Sequence, residues 1–189
     1  MKQYQAEIDE VEKAFAEGDI DLLKEILPAL LEKNVPEAIR INASFFDENT
    51  TEEECDRIYV EGMFKAAELG DLKATYRVGA MLDVGDFGVK QDKVRASYIF
   101  KELAELGDSH CMWIHACELI WGKGSFPKST EKGLELLNEA ATKKSSGACM
   151  TIASFYNDGI FGYEKNAEER DKFRYMALEY DDTTFDPYA

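Results

Sequence analysis

The chain has 189 residues and carries 38 acidic against 22 basic side chains, for a formal net charge of −16. Apolar residues make up 45% of it, which is enough for a packed core and too many for a disordered acidic chain. This acidity argues against nucleic-acid binding and against adhesion to an anionic membrane, and it allows attraction to a basic partner.

Export and disulfide formation are not indicated. Residues 1–10 lack the apolar core of a signal peptide, and no uncharged apolar stretch approaches the ~18 residues that suggest a membrane span. Of the four cysteines, Cys111 and Cys117 lie six apart in one predicted helix and point in different directions, and Cys55 and Cys149 are distant in sequence. We therefore expect reduced thiols and a cytoplasmic location.

Residues 1–35 predict a pair of helices. The first has an apolar stripe, and Gly18-Asp19 separates it from an apolar run over 22–31. Pro28 is expected to interrupt or restart the second helix, because proline lacks the N–H that an interior helical position donates. We interpret this pair as a cap that covers the first unit of a repeat.

A repeat follows with a period of 37 residues. Residues 74–85 align with 111–122 and again with 148–159, and a weaker copy lies 36 residues upstream of the first. Each copy predicts two helices, and the first helix stops at a glycine that accepts the left-handed conformation: Gly85, Gly122 and Gly159. The chain therefore contains one weak copy and three clear copies of a helix pair.

Capping signals predict where the helices begin. The second helix of each pair is expected to open on a side chain that accepts a backbone N–H: Thr51, Asp92, Ser129 and Asn166. Gly70-Asp71 and Gly107-Asp108 are expected to end one unit and start the next. Such hairpins cannot bury their apolar faces alone, so we expect them to stack.

The recurring positions resemble the Sel-one-like repeat (SLR) family, which is related to tetratricopeptide repeats. They are Ala74, Val78, Gly79, Leu82, Gly85, Gly88, Val89, Ala96, Ala104 and Gly107. The resemblance implies an all-α fold, a right-handed α/α solenoid of tetratricopeptide-like helix pairs. It covers about 36–181, with 1–35 as the N-terminal helical cap and 182–189 as a C-terminal tail.

The later copies depart from the family pattern. The alanine before the closing pair is replaced by Gly133 and then Arg170, and the closing glycine by Lys144 and then Asp181. We expect these departures to change the geometry of the last junction and to leave the fold intact.

Metal or nucleophilic chemistry is not favoured. Cys111 and His115 have the i, i+4 spacing of two ligands on one helical face, with His110 and Cys117 nearby. In the repeat, however, Cys111 occupies an alanine position and His115 a position that holds valine or isoleucine elsewhere. Both are therefore interpreted as core substitutions, and we predict no metal, no cofactor and no catalytic residue.

The resemblance places the first helices on a concave face. Its first row is Arg40, Tyr76, Trp113 and Met150, its small middle row is Ser44, Ala80, Cys117 and Ser154, and its third row is Asp47, Asp83, Ile120 and Asn157. From these rows the predicted partner-binding residues are Arg40, Asp47, Tyr76, Asp83, Trp113 and Met150, because large side chains dominate binding energy. The alternative is that the aromatic residues pack between units.

The function implied by the resemblance is a non-catalytic protein-interaction module that binds a peptide or protein in the concave groove. One specific version is an immunity protein that neutralises a basic toxin. The alternatives are a hydrolase of cell-wall-type substrates, as suggested for some disulfide-rich relatives, and a self-assembling scaffold; the oligomeric state stays open. Residues 1–70 carry 18 acidic and 7 basic groups, whereas 71–144 carry 11 of each. We therefore expect a basic partner to contact the acidic N-terminal third.

Overall fold

The structure is a computed structural model that describes residues 4–46 and 49–188. Within these ranges the chain folds into α-helices without a strand. The helices are α1 (Gln5–Glu17), α2 (Ile20–Glu32), α3 (Pro36–Asn42), α4 (Glu52–Glu68), α5 (Leu72–Val84), α6 (Lys93–Glu105), α7 (Ser109–Trp121), α8 (Thr130–Thr142), α9 (Ser146–Asp158) and α10 (Ala167–Tyr180).

The chain divides into two compact units, Met1–Asp92 and Lys93–Ala189. In the first unit α1 packs against α2 and α3, α3 packs against α4, and α4 packs against α5. In the second unit α7 packs against α6 and α8, and α9 packs against α8 and α10. Successive helices therefore cover one another's apolar faces within each unit, as the hairpin pattern predicts.

Helix α2 continues through Pro28, so the expected interruption is wrong. Leu23, Leu27 and Leu30 lie on one side of α2 and are at most 2% exposed, while Pro28 lies on the exposed side. A proline inside a helix costs about 3 kcal/mol. Burying each leucine contributes about 1.5–3 kcal/mol, so the packed face outweighs the lost hydrogen bond.

The first helix of each clear repeat begins on a side-chain cap, which is buried in two of the three copies. Asp71 accepts a hydrogen bond from the Ala74 N–H at 2.6 Å, and Asp108 accepts one from the Cys111 N–H at 2.8 Å. Ser145 does the same for α9. The predicted starts at Asp71 and Asp108 are confirmed. These caps satisfy N–H groups that have no partner inside the helix.

Five other predicted helix ends form, and a sixth differs from the prediction. Gly85, Gly122 and Gly159 adopt the left-handed conformation at the C-caps of α5, α7 and α9, as predicted. Thr51 and Asn166 cap α4 and α10 through their side chains. Ser129 occupies the N-cap position of α8, but its side chain makes no capping hydrogen bond.

The departures from the repeat pattern are accommodated locally. Lys144 stands where the earlier copies have glycine, and it adopts a positive φ of 65°, while Ser145 replaces the aspartate as the cap. Gly133 replaces an alanine on α8. A Cβ there would lie 2.6 Å from Ile120 Cγ1 and 2.9 Å from the carbonyl oxygen of Ala116. The missing methyl group therefore lets α8 lie close against α7.

Gly133→Ala is expected to lower the free energy of unfolding by about 1–3 kcal/mol, because overpacking forces the two helices apart. The sign of this change is informative, because a glycine-to-alanine substitution at an open helical site would raise the free energy of unfolding by about 1 kcal/mol. Urea denaturation monitored by circular dichroism measures the change. Glu131→Ala, at an exposed position of the same helix, is the matched control. A Gly133→Ala protein as stable as the native chain would contradict the close approach.

Candidate functional site

Arg40, which was predicted to bind a partner, is buried in the interior of the first unit. Its side chain is 8% exposed, and its Nε donates to both carboxylate oxygens of Asp71 at 3.1 Å. Its Nη2 forms an ion pair with Glu12, and Glu12 also accepts from Lys73 Nζ at 2.9 Å. Arg40 therefore joins α1, α3 and the start of α5.

The first-helix face of the first unit carries Tyr76, Ala80 and Asp83, all half-buried. These positions follow i, i+4, i+7 spacing and lie on one side of α5. The other side holds the core residues Ala74, Val78, Gly79, Met81 and Leu82. Asp47, which was predicted to lie in the same row as Asp83, falls outside the described residues.

Trp113 of the second unit is half-buried and held in place by α9. Its Nε1 donates to Thr151 Oγ1 at 2.9 Å. Its ring lies over Gly147, where an added Cβ would come within 2.7 Å of Trp113 Cδ2. Part of the indole therefore packs against α9, as the alternative interpretation of the sequence expected, and the rest of the ring stays accessible.

The remaining members of the predicted rows differ in burial. Met150, Cys117 and Ser154 are half-buried on α7 and α9. Ile120 was placed in the third row, and that placement is wrong, because Ile120 is fully buried where Gly133 brings α8 against α7. The first-helix face of the second unit therefore consists of Trp113, Met150 and the small residues between them.

Comparison with known proteins finds similarity in structure alone: no family model and no curated protein matches the sequence. A Sel1 repeat protein from Oxalobacter formigenes superposes with a TM-score of 0.68 at 24% identity over 84% of this chain. A protective antigen of uropathogenic Escherichia coli strains, described as displaying an SLR fold, superposes with a TM-score of 0.67 at 22% identity over 92% of it. The chain has the SLR fold.

The predicted resemblance and the all-α class of stacked helix pairs are thereby confirmed. The chain spans 64% of the length of the Oxalobacter protein and 38% of the length of the Escherichia antigen. At 24% and 22% sequence identity, the similarity to these two proteins establishes the fold alone.

The cysteines of this SLR fold sit in surroundings that suppress thiolate chemistry. Cys111 and Cys149 are fully buried, and burial raises the pKa of both thiols, that of Cys149 to about 11. Burial also raises the pKa of Cys117 to about 12. A reactive cysteine needs a depressed pKa, whereas the pKa of each of these three thiols is raised.

His115 occupies a core position, as the repeat predicted, with 8% of its surface exposed. Its Nδ1 lies 3.2 Å from Glu118 Oε2. In the part of the chain that the structure describes, no three His, Cys, Asp or Glu side chains converge as a metal site would require. None of the helices in the same part is long and apolar enough to cross a membrane.

Arg40→Ala is expected to lower the free energy of unfolding by about 3–5 kcal/mol, because it leaves the buried Asp71 carboxylate without its charged partner. The matched control is Arg57→Ala, whose side chain is 59% exposed and forms ion pairs with Glu54 and Glu61 on the surface of α4. Loss of such exposed pairs costs about 0–1 kcal/mol. Urea denaturation of both variants measures the difference, and equal stabilities would contradict a structural role for Arg40.

Proposed function

We propose that the chain is a non-catalytic protein-interaction module that binds a protein or peptide through the first-helix faces of its units. The observation that supports this most directly is Trp113. An indole held by a hydrogen bond and by contact with a glycine loses little conformational freedom on binding. Half-buried aromatic side chains with fixed orientation are the usual anchors of protein interfaces.

The residues around Trp113 favour a partner that inserts a side chain or a helix. Cys117 follows Trp113 by four residues on the same side of α7, Met150 and Ser154 lie on α9, and all three are half-buried. In the first unit Tyr76, Ala80 and Asp83 lie along one side of α5. Large residues next to small ones form the shallow depressions into which partner side chains fit.

A basic partner is the finer part of the proposal. Residues 1–70 carry 11 of the 16 excess negative charges and residues 145–189 carry the other 5; within the first group Glu52, Glu53 and Glu54 are exposed in the first turn of α4. These carboxylates also stabilise the helix N-terminus, so their local role alone does not require a partner. A net charge of this size nevertheless attracts cationic proteins at long range. Neutralisation of a basic toxin is the specific version that the charge supports.

Affinity purification from the native host, followed by mass spectrometry, identifies candidate partners, and purified pairs then test the first-helix faces. Tyr76→Ala together with Trp113→Ala is expected to weaken binding at least ~10-fold, since hot-spot truncations cost about 2 kcal/mol or more. Tyr175→Ala is the control, because Tyr175 is 61% exposed and lies on α10. Thermal melts establish that each variant is folded. Unchanged affinity of the folded double variant would exclude these faces as the binding site.

The charge argument has its own test. For a basic partner, the association rate is expected to fall as salt is added, while the dissociation rate changes little. Replacing Glu52, Glu53 and Glu54 by glutamine should reduce this salt dependence. Kinetics by surface plasmon resonance at low and high salt measure both rates. An association rate that does not change with salt would contradict electrostatic attraction of the partner. It would not affect the proposal about the first-helix faces, which the double variant tests separately.

A further inference from the structure

The second unit has a solvent-open cavity of about 460 Å³ at its surface between α6, α7 and α8. Met112, His115 and Leu119 line it from one side of α7, and Ala104 and Leu136 line it from α6 and α8. This is a different side of α7 from the one that carries Trp113 and Cys117, because the two sets are about 100° or more apart around the helix. The volume lies within the range of about 300–1,000 Å³ that is typical of small-molecule sites.

His115 is the polar group that α7 contributes to the cavity, and its tautomer is set by Glu118. Nδ1 of His115 lies 3.2 Å from Glu118 Oε2, and the other carboxylate oxygen accepts a hydrogen bond from Ser97 Oγ. A carboxylate only accepts hydrogen bonds, so Nδ1 carries the hydrogen. In a neutral imidazole the second nitrogen, Nε2, then has a lone pair and acts as an acceptor.

The acceptor is accessible to solvent. In the described part of the chain Nε2 has no hydrogen-bond partner, whereas every buried side-chain nitrogen or oxygen there has one. Solvent must therefore reach Nε2, and the cavity is the opening that His115 lines. The cavity thus combines apolar side chains with one oriented acceptor, an arrangement that fixes the orientation of a small ligand.

The charges at the rim argue against an anionic ligand. Three glutamates and two lysines line the cavity, and Lys101 is neutralised by Glu105 at 2.5 Å. The thioether of Met112 favours contact with an aromatic ring. From these features we propose that the cavity binds a small neutral molecule with an aromatic or other apolar body and one O–H or N–H donor, of the phenol class, whose hydrogen His115 Nε2 accepts. This site does not depend on the protein-binding function proposed above.

The test compares two probes of nearly the same shape, p-cresol and toluene, on the purified full chain. Only p-cresol carries the donor. A single net hydrogen bond corresponds to about a 2- to 13-fold difference in affinity, so p-cresol is expected to bind tighter by such a factor. In His115→Phe the ring is kept and the acceptor is lost, and the two probes should bind equally. His110→Phe, at an exposed position of the same helix, should retain the preference.

Nitrogen-15 NMR of the native protein provides a measurement that does not depend on a variant folding. The free protein is expected to show His115 as the Nδ1–H tautomer, and p-cresol should shift the His115 Nε2 resonance while leaving that of His110 in place. The proposal is overturned if neither probe binds, if both bind equally to the native chain, or if 4-methylbenzoate binds more tightly than p-cresol. A preference for p-cresol that survives in His115→Phe, or an unmoved Nε2 resonance, overturns it as well.

Discussion

The structure depends on a side-chain oxygen that caps the first helix of each clear repeat. Asp71, Asp108 and Ser145 each accept the N–H three residues on, and Asp71 and Ser145 do so while at least nine-tenths buried. A buried acceptor left without a donor costs about 1–3 kcal/mol, so the cap determines the residue at which the helix begins. In the first unit the same carboxylate binds Arg40, and one side chain thereby sets the start of α5 and ties it to α3.

Once the helix start is set, the 3.6-residue period decides which face each residue occupies. On α7 it separates Trp113 from His115, so that one helix contributes to a candidate protein-binding face and to a cavity on another side. Two glycines on neighbouring helices complete this arrangement. Gly133 lets α8 lie against α7, and Gly147 receives the ring of Trp113. The same pattern that forms the core therefore also decides what the core leaves accessible.

Local signals in the sequence predicted the helix ends well, because each end depends on one or two neighbouring residues. Gly85, Gly122 and the Thr51 cap are of this kind. The environment of Arg40 could not be predicted, since its partners lie 28 and 31 residues away in other helices and no pattern links them. The predicted exposure of Ile120 was wrong for a similar reason, because its burial follows from the close approach of α8. The division of the chain after Asp92 has no local signal, and Asp92 was interpreted only as a cap.

His115 shows how a repeat can conceal a functional group. Alignment with Val78 and Ile152 correctly assigns it to the core, yet a polar ring in an apolar position needs a hydrogen-bond partner. That partner, Glu118, lies three residues on and was visible in the sequence as an i, i+3 pair. What the sequence does not contain is the space between α6 and α8, which leaves the second nitrogen reachable. The two nitrogens of a histidine in a core position of a repeat therefore need to be considered separately. One nitrogen can form a hydrogen bond that stabilises the fold, while the other remains available to a ligand.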